Sequence, residues 1–271
     1  AERITMVAMV GDAFARPMIE SLDDAAAQGR SWDLSSLRLV LSSGVMFSAP
    51  LKQRLLDHHR CTIVDTLGSS EGTGMGRQVT SRSRNDRGTA RFVLGGHTRV
   101  FTEDGQEVRP GSGERGRLAL GHPLPEGYFK DPAKTEATFP TIGGRRWSVP
   151  GDWATVEADG SIVLLGRGSE CINTGGEKVY PEEVEEALKV HPAVADCNVV
   201  GVDDERWGQA VTAVVQLRVS AAVDGEALRS DVRDRLAGYK VPKRFVFVER
   251  IQRLPNGKSD YPWARGVAGA G

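Results

Sequence analysis

Residues 151–181, GDWATVEADGSIVLLGRGSECINTGGEKVYP, set the strongest limits on what this chain can fold into. Asp152 sits in a tight Gly-Asp turn. The residues after it lead into Glu157-Ala-Asp-Gly160, a hairpin-type turn sequence, and the second arm ends on Gly166-Arg167. A hairpin folded there returns Asp152 and Arg167 to one end of a two-stranded ribbon. An acceptor-only carboxylate then stands beside a planar five-donor guanidinium. Such a pair suits a ligand with vicinal hydroxyls next to an anionic group, as a ribose phosphate has. A Gly-rich loop follows, and Pro181 opens a helix at the position where its missing N–H costs least.

Upstream, apolar runs of strand length alternate with segments of helical period. Residues 4–10 read as a strand, and Asp12 as the cap of a helix with Phe14, Met18, Ile19, Leu22 and Ala26 on its apolar face. Residues 37–41 are continuously apolar, as in a buried parallel strand. Ser42-Ser43-Gly44 turns the chain toward a helix over about residues 49–59, and residues 61–66 form another strand. Residues 1 to about 80 therefore predict β-α-β-α-β, a parallel-sheet layer. Leu67-Gly68-Ser69-Ser70-Glu71, continuing as GTGMG, follows the last strand, where ligand loops of open α/β sheets lie. Its hydroxyls and carboxylate suit a phosphate with its Mg²⁺. The same composition fits an ordinary glycine-rich loop.

From about residue 88 to 165, short apolar segments alternate with Gly, Asp and Pro turns, the pattern of a small antiparallel sheet or barrel. Residues 131–139 look like a short helix within it. Past Arg167 the pattern becomes α+β. A helix starts at Pro181 with Glu182, Glu183 and Glu185 near its positive end. Strands are expected at 193–202 and 209–217, a helix at about 225–236 and a last strand at 244–251. Pro255-Asn-Gly-Lys258 then forms a turn carrying one lysine, and residues 266–271 are expected to lack order. The predicted fold class is an α/β parallel-sheet layer plus a small antiparallel β-barrel, followed by a separate α+β C-terminal lid domain. The expected domains are 1–88, 89–168 and 169–271.

Composition removes several function classes. The 271 residues carry 35 Lys+Arg against 36 Asp+Glu, so no charge excess argues for nucleic acid. The apolar runs are too short for a transmembrane segment. Cys61, Cys171 and Cys197 lie far apart with no metal-ligand spacing, so no zinc site or disulfide framework is expected and a cytoplasmic setting is the default. No basic segment followed by an apolar core opens the chain, so no signal peptide is expected. It opens directly on a strand-like run, as a fragment of a larger protein would.

Seven stretches in order resemble motifs of the adenylate-forming superfamily, which contains acyl-CoA synthetases, aryl-CoA ligases and peptide-synthetase adenylation domains. Leu67-Gly-Ser-Ser-Glu71 resembles its aromatic-Gly-x-Thr-Glu motif. Gly116-Arg-Leu118 through Gly127-Tyr128 to Lys134-Thr135 resembles its Gly-Tyr motif, and Trp147-Ser-Val-Pro-Gly-Asp152 its Thr-Gly-Asp motif. Gly166-Arg167 through Gly175-Gly-Glu-Lys-Val-Tyr-Pro-Glu-Glu-Val184 resembles the hinge and its Gly-rich loop. Trp207-Gly208, Tyr239-Lys-Val-Pro242 and Pro255-Asn-Gly-Lys258 complete the series. The runs LSSGVMFSAP, GHPLPEGYFKDPAKTEATF and NTGGEKVYPEEVE look like the fatty-acyl or sterol-acid CoA ligase branch.

The resemblance implies an ATP-dependent acid–CoA ligase acting on a hydrophobic acid, with ATP, Mg²⁺ and CoA as its small molecules. Lys258 would bridge the α-phosphate and the substrate carboxylate. Ser70 would donate to the phosphate, and Glu71 would hold the metal. Gly44, Leu67, Gly68, Ser69, Asp152 and Arg167 would line the nucleotide. Glu170 would be the hinge, and Gly175 and Gly176 would line the CoA channel. The family's N-terminal phosphate loop has no counterpart here, so the sequence looks like a C-terminal half whose partner is the missing N-terminal half of the same enzyme, in the cytoplasm or peripheral to a membrane. Leu67 stands where an adenine-stacking aromatic residue is usual, Ser70 for Thr, Glu170 for Asp and Pro150 for Thr. A non-catalytic nucleotide-binding module, and an adenylation domain that loads a carrier protein, are the alternatives.

Overall fold

The computed structural model describes residues 3–83 and 90–270. The chain divides into two compact units, residues 1–164 and 165–271. The expected boundary at residue 88 lies outside the described residues.

In the first unit β1 (Met6–Met9), β2 (Leu39–Ser43) and β3 (Thr62–Ser69) are parallel, with Ala8 opposite Leu41 and Leu41 opposite Val64. The crossovers are α1 (Gly11–Ala27) and α2 (Ala49–His58). Ile19, Leu22, Val40, Phe47, Leu55 and Ile63 form the core between them. Two expectations for α1 need correction. Asp12 is not the cap; it lies in the first turn, and its Oδ1 accepts from the Ser48 N–H at 2.7 Å, tying α1 to the start of α2. The buried stripe is Ala15, Ile19, Leu22 and Ala25, while Phe14 and Ala26 face outward. Neighbouring helical positions differ by about 100° in direction, so a stripe anchored on Ile19 and Leu22 takes one of each neighbouring pair.

The chain then reverses through β4 (Gly72–Thr80) and continues into β5 (Arg91–Leu94), β6 (Thr98–Phe101) and β7 (Arg115–Leu120). Next come α3 (Pro132–Thr138), capped by the Asp131 carboxylate on the Lys134 N–H, and a short ribbon of β8 (Thr141–Ile142) and β9 (Arg145–Arg146). The hairpin β10 (Asp152–Val156) and β11 (Ser161–Arg167) turns at Glu157–Gly160, where the Gly160 N–H donates to the Glu157 carbonyl. The antiparallel strands are not hydrogen-bonded off as a barrel of their own. One nine-stranded sheet runs β1-β2-β3-β4-β5-β11-β10-β7-β6, because β4 pairs antiparallel with β3 on one edge and with β5 on the other.

The second unit begins with the end of β11, a 3₁₀ turn (Gly168–Glu170) and the small hairpin β12 (Ile172–Thr174) and β13 (Glu177–Val179). Next come α4 (Pro181–Lys189), the long hairpin β14 (Val194–Asp204) and β15 (Gly208–Leu217), α5 (Gly225–Arg233), β16 (Arg244–Val248) and α6 (Tyr261–Gly269). β16 runs parallel to β15. Val184, Leu188, Leu228 and Val232 of the helices join Val199, Val211 and Val215 in one core cluster. Val200, Val214 and Ile251 form a second with Ala264 and Ala268 of α6. Residues 266–269 are therefore helical where disorder was expected, and residue 271 lies outside the described residues. Asp260 caps α6 by accepting from the Trp263 N–H at 3.0 Å, and the two buried alanines, one turn apart, let the helix lie close on the sheet. No described helix is long and apolar enough to cross a membrane.

Candidate active site

Residues 67–76 are not a loop. Leu67, Gly68 and Ser69 end β3, Ser70-Glu71 is the turn, and β4 starts at Gly72. Gly68 and Gly72 serve packing. A Cβ on Gly72 would lie 2.6 Å from Leu120 Cδ2, and one on Gly68 would lie 3.2 Å from the Gly72 carbonyl oxygen. The Glu71 N–H donates to Ser69 Oγ at 3.2 Å, while Ser70 is exposed at the tip. Leu67 is half-buried against the core cluster of Met75, Phe92 and Leu120. Gly44 follows β2 with φ +85°, so the turn there needs a residue free to adopt left-handed backbone.

Two further side chains complete this corner. The Tyr128 hydroxyl donates to Glu71 Oε1 at 2.5 Å, and Lys134 Nζ lies 4.1 Å from the centre of the Tyr128 ring. Tyr128 is itself set by its neighbours. Its N–H donates to Thr135 Oγ1 at 2.9 Å, and a Cβ on Gly127 would meet Thr135 Cγ2 at 2.4 Å. Burial first, then the hydrogen bond that the phenol donates to the Glu71 carboxylate, pushes Tyr128 above its ordinary value, so it stays a neutral donor. Gly127, Tyr128 and Thr135 were visible as a motif, but the sequence contains no signal that pairs Tyr128 with a residue 57 positions away.

Below the hairpin lies a buried ion pair that the sequence reading did not single out. Lys52 Nζ of α2 is 3.1 Å from Asp65 Oδ2 on β3 and 2.5 Å from Gln78 Oε1 on β4. Both charged side chains are 3% exposed. Burial pushes the Asp65 carboxyl up, and the Lys52 ammonium opposes this. The available signal was an aspartate interrupting the apolar run CTIVDT at an inward position. Asp152, the first residue of β10, is also buried.

In the second unit, Arg167 ends β11, and its N–H donates to Glu182 Oε1 at 3.4 Å. Gly166, at φ +138°, leaves room for that carboxylate: a Cβ there would meet Glu182 Oε2 at 2.1 Å. Glu170 pairs with Arg265 of α6 at 2.9 Å. Gly175 and Gly176 turn the β12–β13 hairpin with φ +59° and +86°. The Gly175 N–H donates to the Trp207 carbonyl at 2.8 Å, and a Cβ on Gly175 would lie 3.0 Å from the Trp207 ring. Lys258 is exposed on its turn, its N–H donating to Asn256 Oδ1 at 3.1 Å. Among the described residues no carboxylate pairs with its ammonium. The structure thus brings Leu67, Gly68, Ser69, Ser70 and Glu71 together on one hairpin. Asp152 belongs to the first unit, and Arg167, Glu170, Gly175, Gly176 and Lys258 to the second.

Residues 183–258 match the family described as AMP-binding enzyme C-terminal domain. The second unit therefore carries this domain. Curated relatives that match nearly the whole chain are named as acid–CoA ligases. Over 266 residues it is 47% identical to the medium/long-chain-fatty-acid–CoA/3-oxocholest-4-en-26-oate–CoA ligase of Mycolicibacterium smegmatis, covering 98% of this chain and 48% of that protein. It is 46% identical to the 3-oxocholest-4-en-26-oate–CoA ligase of Rhodococcus rhodochrous, again over 98% of this chain and 48% of the relative. Among solved structures it is similar to ATP-bound MatB from Rhodopseudomonas palustris, with 25% identity and a TM-score of 0.80, covering 97% of this chain and 51% of that one. The chain spans about half the length of the curated relatives it matches.

Proposed function

We propose that this chain is the C-terminal half of an AMP-forming acid–CoA ligase that activates a hydrophobic acid such as a fatty or sterol-derived acid. The observation that carries the reading is the 47% identity, along nearly the whole chain, to a relative named for both acid classes. In the first half-reaction the substrate carboxylate attacks the α-phosphorus of ATP, giving acyl-adenylate and pyrophosphate. Two anions must approach, so catalysis is mainly positioning and charge neutralisation. Lys258, an exposed ammonium on a flexible stem with no carboxylate partner among the described residues, suits contact with both anions. Ser70 at the hairpin tip would donate to the phosphate, and Asp152 would accept from the ribose hydroxyls. Arg167 would support the phosphate, and Gly44, Leu67, Gly68 and Ser69 would line the nucleotide.

Among the described residues no cluster of three or more His, Cys, Asp or Glu side chains is placed to hold a metal. That fits Mg²⁺, which usually takes one or two carboxylates and completes its shell with phosphate and water. Glu71 would be that carboxylate, and the ion would supply charge neutralisation at the phosphates. In the second half-reaction the CoA thiol attacks the acyl carbon and releases AMP. Here residues 169–271 would act as a lid turning about Glu170, with Gly175 and Gly176 beside the pantetheine arm. The same reading places the enzyme in the cytoplasm, peripheral to membranes that hold its substrate, which fractionation would test.

Acid-dependent exchange of pyrophosphate into ATP, measured on the chain joined to its N-terminal half across short, long, sterol-derived and aryl acids, tests the reading. Exchange with the hydrophobic acids, lost in Lys258→Ala, supports it. Near-normal exchange in Lys258→Ala removes the role given to that lysine. A preference for a pantetheinylated carrier over free CoA would move the assignment to carrier loading.

A further inference from the structure

The role proposed for Lys258 demands accurate placement, yet among the described residues its ammonium has no hydrogen-bond or ion-pair partner to place it. Its position must come from the backbone of its turn. That turn is closed by Leu254 N–H donating to the Lys258 carbonyl at 2.9 Å and by Gly257 N–H donating to the Leu254 carbonyl at 2.8 Å. Gly257, at φ +80°, supplies the left-handed step. These bonds give the turn its shape but do not fix it to the domain.

Arg253 does. Its guanidinium grips Asp196 with two hydrogen bonds, Nε to Oδ2 at 2.9 Å and Nη2 to Oδ1 at 2.6 Å. Its remaining nitrogen, Nη1, donates to the Gly257 carbonyl at 3.4 Å, in the peptide that leads into Lys258. Arg253 also faces Ser259 across an antiparallel bridge. Asp196 sits in β14, which supplies Val199 and Val200 to this unit's two core clusters, and Lys189 Nζ lies 3.8 Å from its Oδ1 and 3.8 Å from Glu185 Oε2. Glu185 Oε1 in turn accepts from the Val199 N–H at 3.0 Å. The Arg253 and Asp196 side chains are 15% and 16% exposed, so water competes weakly for them.

We propose that Arg253, held by Asp196, is a positioning residue for Lys258: its planar fork fixes the lysine turn to β14 and so aims the ammonium in the adenylation step. This rests on the role given to Lys258 above. A fork contacting three acceptors at fixed angles is something a lysine does not reproduce.

The test is Arg253→Met in the full-length enzyme, with both half-reactions measured separately. We expect acid-dependent pyrophosphate exchange to fall about ten- to a hundredfold in kcat, the range of a lost charge-assisted hydrogen bond, with KM for ATP changed less than about twofold. Thioester formation from supplied acyl-adenylate, which does not use Lys258, should stay within about twofold. Arg253→Lys should rescue little, and Asp196→Asn should give the same split. If Arg253→Met does not fold, Arg253→Lys carries the same expectation. Exchange within about twofold of wild type in all three variants overturns the proposal, as does an equal fall of both half-reactions, which marks a general structural role. Lys258→Ala measured alongside separates the two failures. If it abolishes exchange while the Arg253 variants keep it, only the positioning role is wrong. If it keeps exchange too, the role of Lys258 is wrong first.

Discussion

The two units hold their candidate catalytic groups in opposite ways. In the first, the functional side chain itself is gripped: the Glu71 carboxylate accepts from Tyr128, and the hairpin beneath it is fixed by the buried Lys52–Asp65–Gln78 contact. In the second, the side chain of Lys258 is exposed and the peptide before it is held through Arg253. A group that keeps one partner gains from a locked rotamer. A group that must meet two anions gains from a loose stem on a fixed base, since rotamer freedom is kept while the anchor point stays accurate.

The largest effect should come from breaking the loose arm. Lys258→Ala is expected to lower pyrophosphate exchange by about a hundredfold or more, with unfolding by denaturant unchanged, because an exposed lysine contributes little to stability. Breaking the buried support of the gripped site should have the reverse profile. Lys52→Met leaves Asp65 buried without its cation and should destabilise the protein by about 3–5 kcal/mol in a denaturant titration. A smaller loss is expected at the second unit's hairpin. Gly175→Ala forces an L-residue into φ +59° against Trp207 and should cost about 1–2 kcal/mol, read by thermal melting.

Tyr128→Phe removes one hydrogen bond to Glu71 and should cost about 1 kcal/mol. It should also raise the Mg²⁺ concentration needed for half-maximal exchange by about fivefold; an unchanged requirement would separate Tyr128 from the metal role proposed for Glu71. The smallest signal is spectroscopic. The phenol of Tyr128 is pushed up, so in the folded protein it keeps its proton at pH values where an ordinary tyrosine has lost it. The stability this gives is present below the unfolded value near 10 and fades as pH rises through the higher folded value. Absorbance titration of wild type against Tyr128→Phe should show the missing component at the alkaline end, and Glu71→Gln should move that component down.

Much of the fold was legible because its signals are local. The apolar runs before Asp65 and Val248, the helix opening at Pro181 and the turn at Glu157–Gly160 each depend on residues close in sequence. The glycines of residues 67–76 misled for a physical reason. Glycine signals a loop when its backbone needs freedom, but here Gly72 and Gly68 make room for Leu120 and for the facing strand, neighbours that sequence spacing does not show. The helix at Tyr261–Gly269 was missed likewise, since its alanines are stabilised by the sheet they cover and not by helix propensity alone.

The order of motifs in the sequence pointed to the class of protein and to the side chains proposed to carry its chemistry, because hydroxyl, carboxylate and ammonium groups have properties that travel with the residue. The tertiary structure alone decided how those groups are held: that Tyr128 reaches Glu71, that Lys52 lies under the hairpin at Asp65, and that Arg253 ties the turn of Lys258 to Asp196. Each pairing joins residues far apart in the chain. It exists only once burial has removed competing water and packing has fixed the distance between them.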